Sequence, residues 1–239
     1  MSLSNTKNRI QHQKPDAFWE FDNSKALNIN QARLSHLKSL ELNLSGKKVL
    51  DAGCGIGHLA PFFKSYGCSV VCIDARRENI EELKRRHPDI PAYVCNVETD
   101  NLQQFGGFDI VFCYGLLYHL ENPIKALRNL KAVCLDTMLI ETIVMDHELP
   151  LSLLVDETPH ANQAVQGIGS RFTPSYLLKV LVEIGWPYIY FPKTCPEHPD
   201  FNFRRLNNFN VMRNGYNLRS IFIASNQALD NKCLTLISV

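Results

Sequence analysis

The residues that could do chemistry start at Asp51, where an apolar run ends in an acid and opens into Gly53-Cys54-Gly55-Ile56-Gly57. Glycine at alternate positions marks a backbone that turns sharply or lets another group come very close. About 20 residues further on, Asp74 ends a second apolar run, where a carboxylate can accept hydrogen bonds from both hydroxyls of a ribose. Asp74 could instead cap the helix that follows it. A third run ends in Asn96-Val97-Glu98, whose amide and backbone could read the edge of an adenine, although Asn96 could also simply close a turn.

Three kinds of ligand compete for the glycine turn. A phosphate-binding loop of the G-x-x-x-x-G-K-S/T type is excluded, because no Lys-Ser or Lys-Thr follows the glycines. A dinucleotide turn reads G-x-G-x-x-G, and here the third glycine comes one position early. The nearby acid separates the remaining cases. A carboxylate repels a pyrophosphate and favours a cation. S-adenosylmethionine carries an ammonium and a sulfonium, so Asp51 suits it and is awkward for NAD. Its own carboxylate can use backbone N–H groups at the start of the next helix.

Candidates for proton transfer follow later apolar runs. Tyr118-His119 comes first, with His119 either lining the site or acting as a base. Glu141, Asp146 and His147 come next, and His147 opens a long irregular stretch where an acceptor should lie. Asp146, His147, Glu148 and His160 could instead hold a divalent metal, but they form no diagnostic ligand pattern, and no metal is expected. Arg171, Arg204, Arg205 and Arg213 either hold an anionic acceptor or are solvated surface.

Alternating elements position these residues. Short strands at "KKVLDAG", "SVVCID", "AYVCNV", "FDIVFCYG" and "TMLIETIVM" are separated by helical stretches, the signature of parallel β-α-β units. "QARLSHLKSLELNL" puts Leu34, Leu37, Leu40 and Leu44 on one helical stripe, preceded by the aromatic cluster Phe18, Trp19 and Phe21. That cluster packs on the body or forms a flap over a ligand. "TPSYLLKVLVEIG" reads as a helix capped by Thr173, and "YIYFPKTC" and "RSIFIAS" as two final strands. The expected organisation is a flexible leader at 1–15, a helical cap at 16–46, a main domain at 47–225 with lid-like insertions at 146–171 and 196–218, and a tail at 226–239.

With 239 residues and 45% apolar composition, the chain suits one domain. The net charge of +1 lacks the basic excess of a nucleic-acid groove, so a nucleic-acid partner is not expected. No run approaches the ~18 apolar residues of a membrane span, and the N-terminus has no apolar signal core. The eight cysteines include no C-x-x-C pair and read as small core residues of a reducing, cytoplasmic compartment.

In order and spacing, "VLDAGCGIGHLA", "IDARRENI", "CNVETDNL", "FDIVFCYGLLYHLENP" and the fifth strand resemble the successive motifs of class I S-adenosylmethionine-dependent methyltransferases, from about Lys47 to Val144. The resemblance implies a Rossmann-like, doubly wound, seven-stranded α/β sheet that is mostly parallel with an antiparallel last strand. It also implies a cofactor site in which Gly53, Cys54, Gly55 and Gly57 form the loop and Asp51 lies near the methionine end. Asp74 and Ala75 then serve the ribose, Asn96 and Val97 the adenine, and Tyr114 follows the fourth strand. Asn96 replaces the more usual Asp. "GLLYHLENPIKAL" and "RFTPSYLLKVLVEIGW" are also similar to a narrower group acting on the tRNA wobble uridine with a carboxylated cofactor. Similar segments occur in enzymes that tailor sugars and natural products. The expected reaction is O-methylation of a small molecule. An RNA acceptor and a non-catalytic cofactor-binding subunit are the alternatives.

Overall fold

The structure, a computed structural model, describes residues 18–158, 162–202 and 205–237. Twelve strands follow one another: β1 (Lys48–Ala52), β2 (Ser69–Asp74), β3 (Ala92–Val94), β4 (Phe108–Tyr114), β5 (Cys134–Ile143), β6 (Ser152–Asp156), β7 (Ile168–Phe172), β8 (Tyr188–Pro192), β9 (Met212–Arg213), β10 (Tyr216–Asn217), β11 (Arg219–Ser225) and β12 (Leu234–Leu236). The helices are α1 (Trp19–Asp22), α2 (Ser24–Ser39), α3 (Ala60–Ser65), α4 (Arg77–Arg86), α5 (Pro123–Val133) and α6 (Pro174–Glu183).

Eight of these strands make one sheet in the order β12-β8-β11-β5-β4-β1-β2-β3. β1 to β5 are mutually parallel, and β11 runs antiparallel between β5 and β8. The near-continuous apolar runs of β1 and β4 follow from burial on both faces. Side chains alternate along them. Leu50 and Ala52 join Val111 and Cys113 in a core covered by α5 and α6. Val49 joins Ile110 and Phe112 in a core covered by α2, α3 and α4. Phe63 and Phe112 are fully buried with ring centroids 4.9 Å apart, and burying each side chain contributes about 1.5–3 kcal/mol.

The structure adds detail to the expected layout in three places. The 226–239 segment is no mere tail: β12 adds an eighth strand by pairing antiparallel with β8, and Asn231 donates to the Leu40 carbonyl at 2.8 Å. The sheet edge left open by β8 supplies the free backbone groups that capture it. The 146–171 stretch contains the antiparallel hairpin β6–β7. Within 196–218, β9 and β10 pair across Asn214-Gly215, both at positive φ (51° and 80°), as a two-residue hairpin turn requires.

The α2 stripe is also modified. Leu37, Leu40 and Leu44 are buried, Leu34 is only half-buried, and Arg33 and His36 share the inward face. Asn23 caps α2 by accepting from the Ala26 N–H at 3.0 Å. No helix among the described residues is long and apolar enough to cross a membrane.

Candidate functional site

Strand order reverses at β1 and β4, and the carboxyl ends of these strands open a crevice, the usual place for a ligand in such a sheet. A cleft of about 510 Å³ lies there, within the range of small-molecule sites. Gly53, Cys54, Gly55, Asp74, Ala75, Asn96, Val97, Tyr114 and His119 all line it. Asp51, Gly57 and His147 do not.

The glycines bring the protein's own side chains close. A Cβ at Gly53 would stand 2.7 Å from Leu116 Cδ1, and one at Gly55 would stand 2.7 Å from Phe21 Cε1. Both residues have positive φ, 73° and 53°, where L side chains are disfavoured. Gly53 therefore seats the loop on the chain after β4, and Gly55 seats it under α1. Gly57 packs against Leu83 of α4, which is why it misses the cleft.

Asp74 braces the loop from the other strand. Its Oδ2 accepts from the Gly55 N–H at 3.0 Å, and its Oδ1 accepts from the Arg76 N–H at 2.8 Å and from Asn79 at 3.2 Å. It thus closes the turn into α4 and lines the cleft, while the N-cap of α4 is Arg76, with no side-chain cap. Burial, resisted by these donors, pushes its carboxyl pKa up. Asn96 also has two duties: it lines the cleft, and its Oδ1 accepts from the Glu98 N–H at 2.9 Å.

Asp51 lies behind the loop rather than on the cleft wall. It is 3% exposed, and burial together with the charge of Asp74 pushes its carboxyl up to about 7. Its influence on a ligand is therefore through space, and a cation in the cleft would draw that carboxyl back down.

Two flaps roof the cleft. On one side α1 carries Phe21, and Asp22 clasps α1 to the body: Asp22 bonds His58 Nε2 at 2.9 Å and accepts from Arg86 at 2.6 Å. On the other side lies the 162–167 segment before β7, pinned where Arg76 donates to the carbonyls of Gln163 and Ala164 at 3.3 and 3.0 Å.

Away from Asp74 the cleft wall is a chain of paired charges. Fully buried Glu141, in β5, accepts from Arg33 of α2 at 2.5 Å and from Arg219 of β11 at 2.9 Å. Arg219 also donates to Asp200 at 2.9 Å, and its guanidinium lies 5.1 Å from the Tyr118 ring centroid. Burial pushes the Glu141 carboxyl up, but the two arginines outweigh it and hold it below its ordinary range. A second cluster joins His119 to Glu157 at 2.5 Å and Glu157 to Arg171 at 3.0 Å.

Arg33, Glu157, Asp200 and Arg219 carry no recognisable motif. Each is identified only by a partner distant in the chain. The expected residues of the fifth-strand end go elsewhere. Asp146 is buried and spends Oδ2 on Arg213 and the Leu206 N–H, at 2.8 and 2.9 Å. His147 stacks on Phe209 with centroids 4.0 Å apart, which turns it away from the cleft. Among the arginines considered for an anion, Arg171 and Arg213 are paired with acids and Arg205 is exposed. His160 and Arg204 lie outside the described residues. Among the described residues no three His, Cys, Asp or Glu side chains gather to hold a metal.

Fold and cleft together define a Rossmann-like α/β protein with a nucleoside-sized crevice at its switch point. A family model described as a methyltransferase domain matches residues 25–190. The chain belongs to this family, the class I S-adenosylmethionine-dependent methyltransferases. It is 34% identical over 130 residues to a tRNA U34 carboxymethyltransferase of Azotobacter vinelandii, covering 50% of this chain and 40% of that protein. It is 31% identical over 110 residues to a ubiquinone biosynthesis O-methyltransferase of Vibrio parahaemolyticus, covering 44% of this chain and 46% of that one. The chain thus spans less than half the length of these relatives. The N-terminal domain of EvdMO1, solved with SAH bound, shares the fold with a TM-score of 0.62 at 17% identity, over 84% of this chain and 81% of that one. The expectation against a nucleic-acid partner has no support from these relatives, since a tRNA enzyme is among them.

Proposed function

We propose that the chain transfers the methyl group of S-adenosylmethionine to a hydroxyl of a small, uncharged molecule. The residues fit that cofactor. Asp74 presents a carboxylate for the ribose, Asn96 and Val97 line the adenine end, and the Gly53–Gly57 turn lies at the amino-acid end with Asp51 behind it. When bound, the cofactor supplies an electrophilic methyl on a sulfonium. The chain's residues orient the acceptor and exclude water.

The observation that carries the acceptor class is the charge balance of the cleft wall. Arg33, Arg171 and Arg219 are each matched by Glu141, Glu157 or Asp200. Among the described residues, that engages these three arginines with acids rather than with a phosphate, an acceptor carboxylate, or the extra carboxylate of a carboxymethyl donor, while Arg76, also on the wall, is held by the Gln163 and Ala164 carbonyls and by Glu78 at 3.5 Å. The similarity to a tRNA enzyme supports RNA as the second reading.

The test incubates the purified protein and methyl-labelled S-adenosylmethionine with cell extract, then fractionates the product. Label in the small-molecule fraction is expected. Label in ribonuclease-sensitive precipitate supports RNA instead, and retained cofactor binding with no labelled product supports a non-catalytic subunit.

The cofactor reading also predicts a proton linkage. A cation near Asp51 favours its ionised form, so binding must expel a proton wherever the free carboxyl is protonated. With that carboxyl at about 7, affinity for S-adenosylmethionine is expected to fall by up to about tenfold per pH unit from pH 7 towards 5. Asp51→Asn should flatten the dependence. Calorimetry showing the same affinity for the native protein at pH 5.5 and pH 7.5 would count against the placement.

A further inference from the structure

His119 and Glu157 approach each other across 38 residues, from the end of the turn after β4 and the end of β6. The location of His119 is tied to the cofactor loop. It closes the 3₁₀ turn Leu117–His119, its N–H donates to the Leu116 carbonyl at 2.9 Å, and Leu116 is the side chain seated on Gly53. Glu157 is nearly enclosed, at 2% side-chain exposure against 14% for His119. Its Oε2 takes His119 Nδ1 at 2.5 Å and the Ala164 N–H at 2.8 Å, and its Oε1 takes Arg171 at 3.0 Å.

A carboxylate held by these donors can only accept hydrogen bonds. It therefore fixes the His119 proton on Nδ1 and leaves the lone pair on Nε2. Among the described residues nothing hydrogen-bonds Nε2, and His119 lines the cleft. Burial lowers the His119 pKa, with Glu157 opposing, so the ring is a neutral base near pH 7.

The contact is built into the hairpin. A Cβ at Gly169 would stand 2.5 Å from the Tyr118 carbonyl oxygen and 2.6 Å from Glu157 Oε1, so only glycine lets β7 come this near. Beside it, Arg171 donates to the Tyr118 carbonyl and Ser170 to the Leu120 carbonyl, both at 2.8 Å.

From this geometry we infer that Glu157 is a positioning residue that makes His119 the base for the acceptor hydroxyl, and that the base is complete only when the β6–β7 hairpin is docked. The inference rests on the methyltransferase reading above. As the acceptor oxygen bonds to the methyl carbon, the carbon–sulfur bond breaks with its electron pair remaining on sulfur. The hydroxyl proton passes to His119 Nε2, and Glu157 stabilises the resulting imidazolium.

The test is nitrogen-15 NMR of histidine-labelled protein saturated with S-adenosylhomocysteine, alongside transfer of labelled methyl into the extract fraction that accepts it. The native ring should show the proton on Nδ1. Glu157→Gln should lower the transfer rate by about 10²-fold, within the span of general base catalysis and well beyond its effect on S-adenosylhomocysteine affinity. It should also move the acidic limb of the rate profile to lower pH, because the carboxylate that favours the protonated ring is gone. A purely structural Glu157 would not move that limb. A native His119 with its proton on Nε2 overturns the proposal without any variant, as does a Glu157→Gln protein with an unshifted limb. Loss of S-adenosylhomocysteine binding by the native protein would instead overturn the cofactor reading.

Discussion

Glu141→Ala is expected to destabilise the protein by about 3–5 kcal/mol, the usual cost of removing one partner from a buried ion pair. Both carboxylate oxygens are engaged, by Arg33 at 2.5 Å and Arg219 at 2.9 Å, and the two arginines are only 7% and 8% exposed. Without Glu141, Arg33 is left as a buried charge with only a neutral partner, Asn30. Arg219 keeps Asp200. The expected result is a lower urea midpoint with an unchanged slope. An unchanged midpoint would mean that water reaches Arg33 and the network is not sealed. Acid should act in the same direction. The Glu141 carboxyl is depressed in the fold, so its contribution is present above the ordinary carboxylate range and is lost as pH falls through the lowered pKa. Replacing Arg33 and Glu141 together by apolar residues of similar size should recover much of the loss, because it is mainly the cost of an unpaired charge.

Asp74→Ala is expected to weaken S-adenosylhomocysteine binding by about 10²-fold. Hydrogen bonds to a charged group contribute about 1.5–3 kcal/mol each, and losing two to a ribose gives at least about 3 kcal/mol, or roughly two factors of ten. Asp74 also holds the Gly55 and Arg76 N–H groups, so the loop loosens at the same time. Asp74→Asn removes the charge but keeps an acceptor for only one of the two backbone N–H groups, and should fall between the native protein and the alanine variant. Calorimetry giving Asp74→Ala the native affinity would sink the ribose assignment.

The half of the fold that builds the cofactor end was legible because its signals are local. Each of β1, β2, β4 and β5 is an apolar run buried on both faces, and the glycine turn and Asp74 lie at run ends where position alone limits their role. The paired charges on the opposite wall of the cleft were not legible for a physical reason. Arg33 and Glu141 are 108 residues apart, and Arg219 and Glu141 are 78 apart. Nothing in the surrounding residues of Arg33 distinguishes it from a solvated helix charge. The β6–β7 hairpin hid for the opposite reason: consecutive Leu153 and Leu154 are both exposed, so no alternation marks a strand. His147 drew attention by following a strand that ends at the site. The chain turns at Asp146 towards Arg213 and Phe209, and one residue of turning sends the imidazole away from the crevice.

The clasp of Asp22 on His58 and Arg86 has a kinetic consequence. Phe21 lines the cleft, and lifting that ring with α1 means parting a bidentate acid–guanidinium contact at 2.6 and 2.9 Å. Such a contact lengthens the residence time of a spent cofactor as much as that of a fresh one. On the cofactor reading, release of a bound nucleoside is then coupled to the opening of α1, and the contact of Arg86 with Asp22 sets part of that barrier.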